Sequence, residues 1–244
     1  MASRPTAKRR RLARRLRELR VQAGMNHEHA AARLGCQQPK ISKMENAVIA
    51  LNADDVRQLA ELYGLTPGAT ESLVVLTREA KRRGWWHSYA DTYDDDVLDY
   101  FELETDAARV SNFEIDLIPG LLQTEPYASA VISAASPFIA EPIIANRVKL
   151  RMERQHQIRD GSLSLWAVVT EAALLRPVGG AATHRGQLAQ VIELAQRPNV
   201  QFQVIPTRAG EHMAMGVPFS LFSFADGDAV ATIDHLTGTF YLEE

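Results

Sequence analysis

The sequence predicts two domains, an all-α five-helix N-terminal domain and a mixed α+β C-terminal domain. Three observations predict this. Charge is divided: residues 1–83 hold 17 Lys+Arg against 8 Asp+Glu, and the remainder holds 10 against 22. Apolar residues before position 83 recur at helical spacing, between cap residues and glycines. After Trp86 the pattern alternates between helical and extended stretches. The boundary falls near 84–96, which gives domains 1–83 and 84–244. Residues 91–106 carry eight acidic side chains and no basic one.

The first helix carries Leu12, Leu16, Leu19 and Ala23 on one face and arginines on the other, and Gly24 closes it. Asn26 caps the second, His27–Leu34, and Gly35 ends it. The third runs from about Gln38 to Glu45, with Ile41 and Met44 inward. Asn52 caps the fourth, which buries Val56, Leu59 and Leu62 and stops at Gly64. Thr66-Pro67 opens the fifth as cap and first-turn proline, and the basic "KRRGWW" ends it. In the body, Thr124–Ala135, Pro142–Asp160 and Gly186–Gln196 read as helices. The second of these has a strongly basic face over 147–159, suited to an interface, to DNA or to solvent. Residues 162–169, 200–206, 219–224, 229–234 and 239–243 read as strands, with Asp226-Gly227-Asp228 as a hairpin turn. A mixed sheet with helices packed on it follows.

The chain has 244 residues, 46% hydrophobic and 23% charged, an ordinary globular composition. No apolar run approaches the roughly 18–20 residues that span a bilayer, and none follows the basic N-terminus as in a signal peptide. The one cysteine, Cys36, excludes an internal disulfide and a CxxC metal site. It reads as a small turn residue, with a redox-sensing thiol as the alternative. A cytoplasmic, nucleoid-associated protein is expected, because a basic block on an acidic body suits a module for a polyanion. The basic stretch "RPTAKRRRLARR" reads as an arm touching phosphates or the minor groove, or as a solvated tail.

The stretch "AAARLGCQQPKISKMEN" meets the requirements of a helix-turn-helix. Ala31 is small enough for close helix packing, and Gly35 makes the turn. Ile41 and Met44 anchor the second helix from below. Gln37, Gln38, Lys40, Ser42 and Lys43 face outward. Pro39 sits in the first turn, where its missing N–H costs little, and so fixes the helix start.

These residues resemble the lambda-repressor-like or Xre-type helix-turn-helix over residues 12–64. The resemblance implies five helices with the third as reader. Gln38 falls on the base-contacting glutamine, Lys43 on an outward position that reaches DNA, and His27 where the second helix meets a phosphate. Arg20 and Glu45 match a structural ion pair that ties the first helix to the third. The family's polar contact at position 39 is lost to proline. Base reading is then expected from Gln37, Gln38 and Lys43; glutamine suits adenine and lysine suits guanine. Lys40, Asn46, Arg10 and Arg11 join His27 as phosphate contacts. His29 stands where the family has Glu or Gln, and is expected to close a capping box after Asn26 less well. His27 and His29 do not share a helix face, so no metal site is expected, and no cofactor.

A second resemblance covers most of the body. "GWWHSY", "IPGLLQTEPYA", "LWAVVTEAALLRPVGG", "RPNVQFQVIP", "PFSLFSF" and "HLTGTFYLE" are similar to successive blocks of a domain found in actinobacterial WhiJ-like regulators. Members of that group usually run on with further helices after the last block. Some are described as antitoxin-like and lie beside genes for small partner proteins. Trp85 and Trp86 read as interdomain packing or as an aromatic wall for a ligand. His212 reads as a pocket residue or a structural one. Asp94-Asp95-Asp96 reads as a solvated acidic loop or a cation site. No G-x-S-x-G, H-E-x-x-H, Walker or dinucleotide motif occurs. Nothing in the spacing of Glu171, His184, Asp234 and His235 requires catalysis, so no catalytic residue is assigned. The leading expectation is a DNA-binding regulator, homodimeric, whose body dimerises or receives a small-molecule or protein signal. The alternative is an antitoxin-like protein that captures a small protein and autoregulates its operon.

Overall fold

The computed structural model describes residues 5–80, 84–89, 92–93, 95–135, 138–235 and 238–242. The chain divides into two compact units, Met1–His87 and Ser88–Glu244.

The first unit is helical: α1 (Ala7–Gln22), α2 (His27–Arg33), α3 (Gln38–Glu45), α4 (Ala53–Leu62) and α5 (Pro67–Glu79). Its core joins Leu12, Leu16 and Leu19 of α1 to Ile41 and Met44 of α3, Val56 and Leu59 of α4, and Leu73 and Val74 of α5. Thr6, Asn26, Asn52 and Thr66 each accept a hydrogen bond from a first-turn N–H through the side chain. Gly35 takes φ +59° between α2 and α3, the left-handed geometry the turn needs.

Two expectations are corrected in this unit. The basic stretch read as an arm is folded into α1 from Ala7 onward, because Thr6 caps it and Leu12 and Leu16 bury its inner face; residues 1–4 lie outside the described residues. His29 does close the capping box. The Asn26 amide donates to His29 Nδ1 at 3.3 Å, while the His29 amide donates to Asn26 Oδ1 at 3.0 Å. A neutral imidazole nitrogen is an acceptor, and here it lies within reach of the cap N–H.

The second unit runs α6 (Asp95–Asp106), β1 (Arg109–Glu114), α7 (Glu125–Ala135), α8 (Glu141–Arg154), α9 (His156–Asp160), β2 (Ser164–Thr170), α10 (Glu171–Leu175), α11 (Gly180–Leu194), β3 (Val200–Ile205), β4 (Phe219–Ser223), β5 (Ala229–His235) and β6 (Gly238–Leu242). The sheet order is β3-β2-β1-β4-β5-β6. β1, β2 and β3 are parallel, and β4, β5 and β6 join antiparallel. The mixed sheet is as expected, and helical crossovers join its parallel strands.

The central strand β1 and the acidic helix α6 were not expected. In β1 the buried positions are Val110 and Phe113, three apart, so it lacks period-2 alternation. The single helix expected over 142–160 is two. Gln155, buried at the break, donates from Nε2 to the carbonyls of Gly120 and Gln123 at 3.1 and 2.7 Å. The helix expected from Gly186 begins at Gly180, after Gly179 at φ +68°.

The basic face of α8 is also reassigned. Lys149 points to solvent, but Arg154 is buried and forms a bidentate pair with Glu104, Nε to Oε1 at 2.7 Å and Nη2 to Oε2 at 2.6 Å. Arg147 lies over the Tyr93 ring, 5.1 Å from its centroid. The helix turns most of its charge toward the unit's own aromatic and acidic residues.

Candidate nucleic-acid interface

α2, the Gly35 turn and α3 present one polar surface. Gln37, Gln38, Lys43 and Asn46 are exposed on it, and Ile41 and Met44 are buried beneath. Gln37 stands at the N-cap with no side-chain cap bond, and Gln38 and Pro39 form the first turn. The proline therefore occupies a position whose N–H has no intrahelical partner.

Behind this surface lies one continuous polar chain. Arg20 of α1 donates to Glu45 of α3 twice, Nε to Oε1 at 2.6 Å and Nη2 to Oε2 at 2.8 Å, both groups being buried. Arg20 Nη1 also donates to the Met25 carbonyl at 2.8 Å. His27 Nε2 lies 3.0 Å from Glu45 Oε2, and Gln38 Nε2 lies 3.1 Å from His27 Nδ1. The partners assign the tautomer. A carboxylate only accepts, so Nε2–H donates to Glu45, and Nδ1 accepts from the Gln38 amide. Gln38 thus spends one N–H on the domain and keeps its Oε1 and second N–H.

This network sets the ionisation of its members. Burial pushes the Glu45 carboxyl up, but hydrogen bonds from Arg20 and His27 outweigh it and hold the group below its ordinary 4.5. The hydrogen bond to Glu45 raises Arg20 against the opposing effect of burial. The Arg20–Glu45 pair expected from the sequence is therefore present, and it includes His27 as a third member.

The remaining candidates sit as follows. Lys40 Nζ pairs with Asp55 Oδ2 of α4 at 2.8 Å while staying substantially exposed. That hydrogen bond raises the ammonium above its usual value. Asn46 is the C-cap of α3 and donates from Nδ2 to the Ser42 carbonyl at 2.7 Å. Arg10 is half-buried, with Nη1 donating to the Pro5 carbonyl at 2.8 Å, and Arg11 is only 4% exposed. Cys36 is half-buried beside the core. Asp55 was missed in the sequence. Asp55 lies in the next helix and no local spacing marks it as a partner of Lys40.

At the end of the first unit, Trp86 is buried and Trp85 is 38% exposed, and their rings meet edge to face at 6.1 Å. In the second unit, His212 packs edge to face on Phe113, 5.8 Å between centroids. Glu171 accepts from the Thr207 amide at 2.9 Å, and that bond holds its carboxyl low. His184 Nε2 lies 2.8 Å from the Leu174 carbonyl, so the two serve the local backbone. Asp94 and the side chains of Asp96, Asp234 and His235 lie outside the described residues. Among the described residues no cluster of His, Cys, Asp and Glu could hold a metal, and no helix is long and apolar enough to cross a membrane.

Neither the curated proteins nor the solved structures give a match. Residues 11–73 match the family described as a helix-turn-helix domain, a stretch that holds most of α1, all of α2–α4, the first half of α5 and the polar chain. Residues 97–244 match the family described as a domain of unknown function (DUF5753), and it is to this family, with a helix-turn-helix domain in front, that the chain belongs.

Proposed function

We propose that the chain is a sequence-specific transcription regulator of the Xre type, akin to the actinobacterial WhiJ-like group, and that it carries no catalytic activity. The observation that carries this reading is the Arg20–Glu45–His27–Gln38 chain beneath an exposed α3. A buried ion pair behind a polar, solvent-facing helix costs desolvation energy that a plain surface helix does not require. Holding a glutamine amide in one orientation gives that cost a purpose. Gln37, Gln38 and Lys43 read base edges in the major groove, and Lys40, Asn46, Arg10 and the backbone N–H of His27 at the start of α2 meet phosphates. Arg11, being buried, serves the domain rather than the phosphates.

A single module of this size buries too little surface for useful affinity, so two copies bind a two-fold site as a homodimer. The second unit supplies dimerisation or receives a signal. The antitoxin-like alternative shares the DNA contacts and differs only in what the second unit binds.

Gln38→Ala tests the assignment. It is expected to cost roughly 1–3 kcal/mol at one base position and to relax choice there. Competition binding with all four bases at each position reads this directly. A uniform loss across all sequences would remove Gln38 from the reading set.

A further inference from the structure

The second unit holds a half-open cavity of about 490 Å³, within the roughly 300–1,000 Å³ usual for small-molecule sites. Its walls come from α6 (Tyr93 just before it, then Val97, Tyr100 and Phe101), from the segment 114–123, and from Val131, Leu150 and Pro218. Most of this lining is apolar or aromatic. Two arginines of α8, three residues apart and so on one helix face, also line it.

The two arginines differ in their partners. Arg154 is neutralised by Glu104 through both carboxylate oxygens, and it stacks 5.4 Å from the Tyr100 centroid and 4.8 Å from that of Phe101. Arg151 has no such direct ion pair, and Glu114 on the same cavity wall acts on it only at longer range. Its Nη1 donates to the neutral Gln123 Oε1 at 2.9 Å, and no carboxylate among the described residues lies within 4.0 Å of it. Gln123 is itself fixed, donating from Nε2 to the Ile118 carbonyl at 2.7 Å. Burial lowers the Arg151 guanidinium from its ordinary value and the neighbouring Arg154 charge lowers it further, against smaller opposing effects of Tyr93, Tyr100 and Glu114. A guanidinium has five N–H donors in a planar fork that matches a carboxylate. Among the described residues only one Arg151 donor atom finds an acceptor, so the rest of the fork is left over at the wall of an aromatic-lined cavity. Arg151 is half-buried, and a guanidinium with spare donors beside an apolar wall binds an anion by charge-assisted hydrogen bonds.

We infer that this cavity is the receptor site for a small organic acid, with its anionic group on Arg151 and its apolar or aromatic body against Tyr93, Tyr100 and Phe101. Glu114, which also lines the cavity, gives an acceptor for a hydroxyl or amine on that body. The inference rests on the reading of the second unit as one that receives a signal, and it names the class of that signal.

The test uses the full chain and two dyes with one ring system. 8-Anilinonaphthalene-1-sulfonate is anionic, and N-phenyl-1-naphthylamine lacks the sulfonate. The expected result is one anionic dye per chain, bound at least tenfold more tightly than the neutral one. Arg151→Met should reduce the anionic dye to the affinity of the neutral dye and leave the neutral dye unchanged. Its melting temperature should change little, because Arg151 makes one direct hydrogen bond and no direct ion pair. Val131→Trp, which takes up space in the cavity and leaves Arg151 in place, should weaken both dyes. Equal affinity for the two dyes would overturn the inference. So would anionic-dye binding that survives Arg151→Met in a folded variant, or a fall in melting temperature with dye binding intact, which would make Arg151 structural. DNA binding is measured separately. Specific dye binding by a chain with no sequence preference for DNA would support the cavity and sink the regulator reading on which its receptor role rests.

Discussion

Glu45 is where α1, α2 and α3 meet, since Arg20 and His27 both reach its carboxylate. Removing one partner of a buried pair leaves the other charge uncompensated, so Glu45→Ala is expected to cost roughly 3–5 kcal/mol. The pH dependence follows from the depressed carboxyl. A carboxyl lowered on folding contributes stability that is complete above its unfolded value and is lost as pH falls through the folded one. The helical unit should therefore lose stability as pH drops below the ordinary 4.5 of Glu45. Glu45→Gln should be less stable at neutral pH and lose less on acidification. Thermal denaturation of both proteins across that range checks this; parallel curves would mean that Glu45 is not the titrating group. His27 plays a different part, because its Nδ1 holds the Gln38 amide. His27→Ala is expected to broaden base preference at the Gln38 position while a phosphate contact through the backbone N–H is kept. Base-resolved competition binding reads this. A preference unchanged in the variant would show that Gln38 orients itself.

At the scale of elements, α3 is anchored to α1 by Arg20–Glu45 and to α4 by Lys40–Asp55. The second pair is partly exposed, and such pairs contribute at most about 1 kcal/mol. Lys40 can thus turn to a phosphate at little cost. Lys40→Ala should weaken binding to all duplexes alike, reduce the salt slope by about one, and barely move stability. Titrations at several salt concentrations check this, and a loss confined to one sequence would place Lys40 among the base readers.

The same elements show what the sequence made legible. The helices of the first unit were readable because caps, glycines and apolar spacing agree at each boundary. Strands β2, β4 and β5 were readable because one face is buried and alternation survives. β1 was hidden because its buried residues, Val110 and Phe113, are three apart. The break at Gln155 has no glycine or proline; a long-range pair of hydrogen bonds to residues 120 and 123 accompanies it. The α3 surface was legible from Gln37, Gln38 and Lys43, since an outward face needs no partner to be recognised. Its support by His27 and Asp55 was not, because tertiary pairing decides which polar residues spend their donors internally. The cavity was hidden for the same reason. α8 has a basic face in sequence, and only the fold separates the compensated Arg154 from Arg151.

For the whole molecule, a basic helical unit is joined to an acidic unit of larger size, and the two divide the work proposed here. Under that proposal, charge draws the first to DNA and α3 supplies discrimination, while the second supplies a two-fold arrangement or a signal. The most direct test of this account is selection of bound duplexes from a random pool by the full-length protein at near-physiological salt. The account predicts an inverted repeat with half-sites about one helical turn, roughly 10 base pairs, apart, whose preferred bases change in the Gln38→Ala protein. Enrichment of no motif, or of one that Gln38→Ala leaves unaltered, would contradict it.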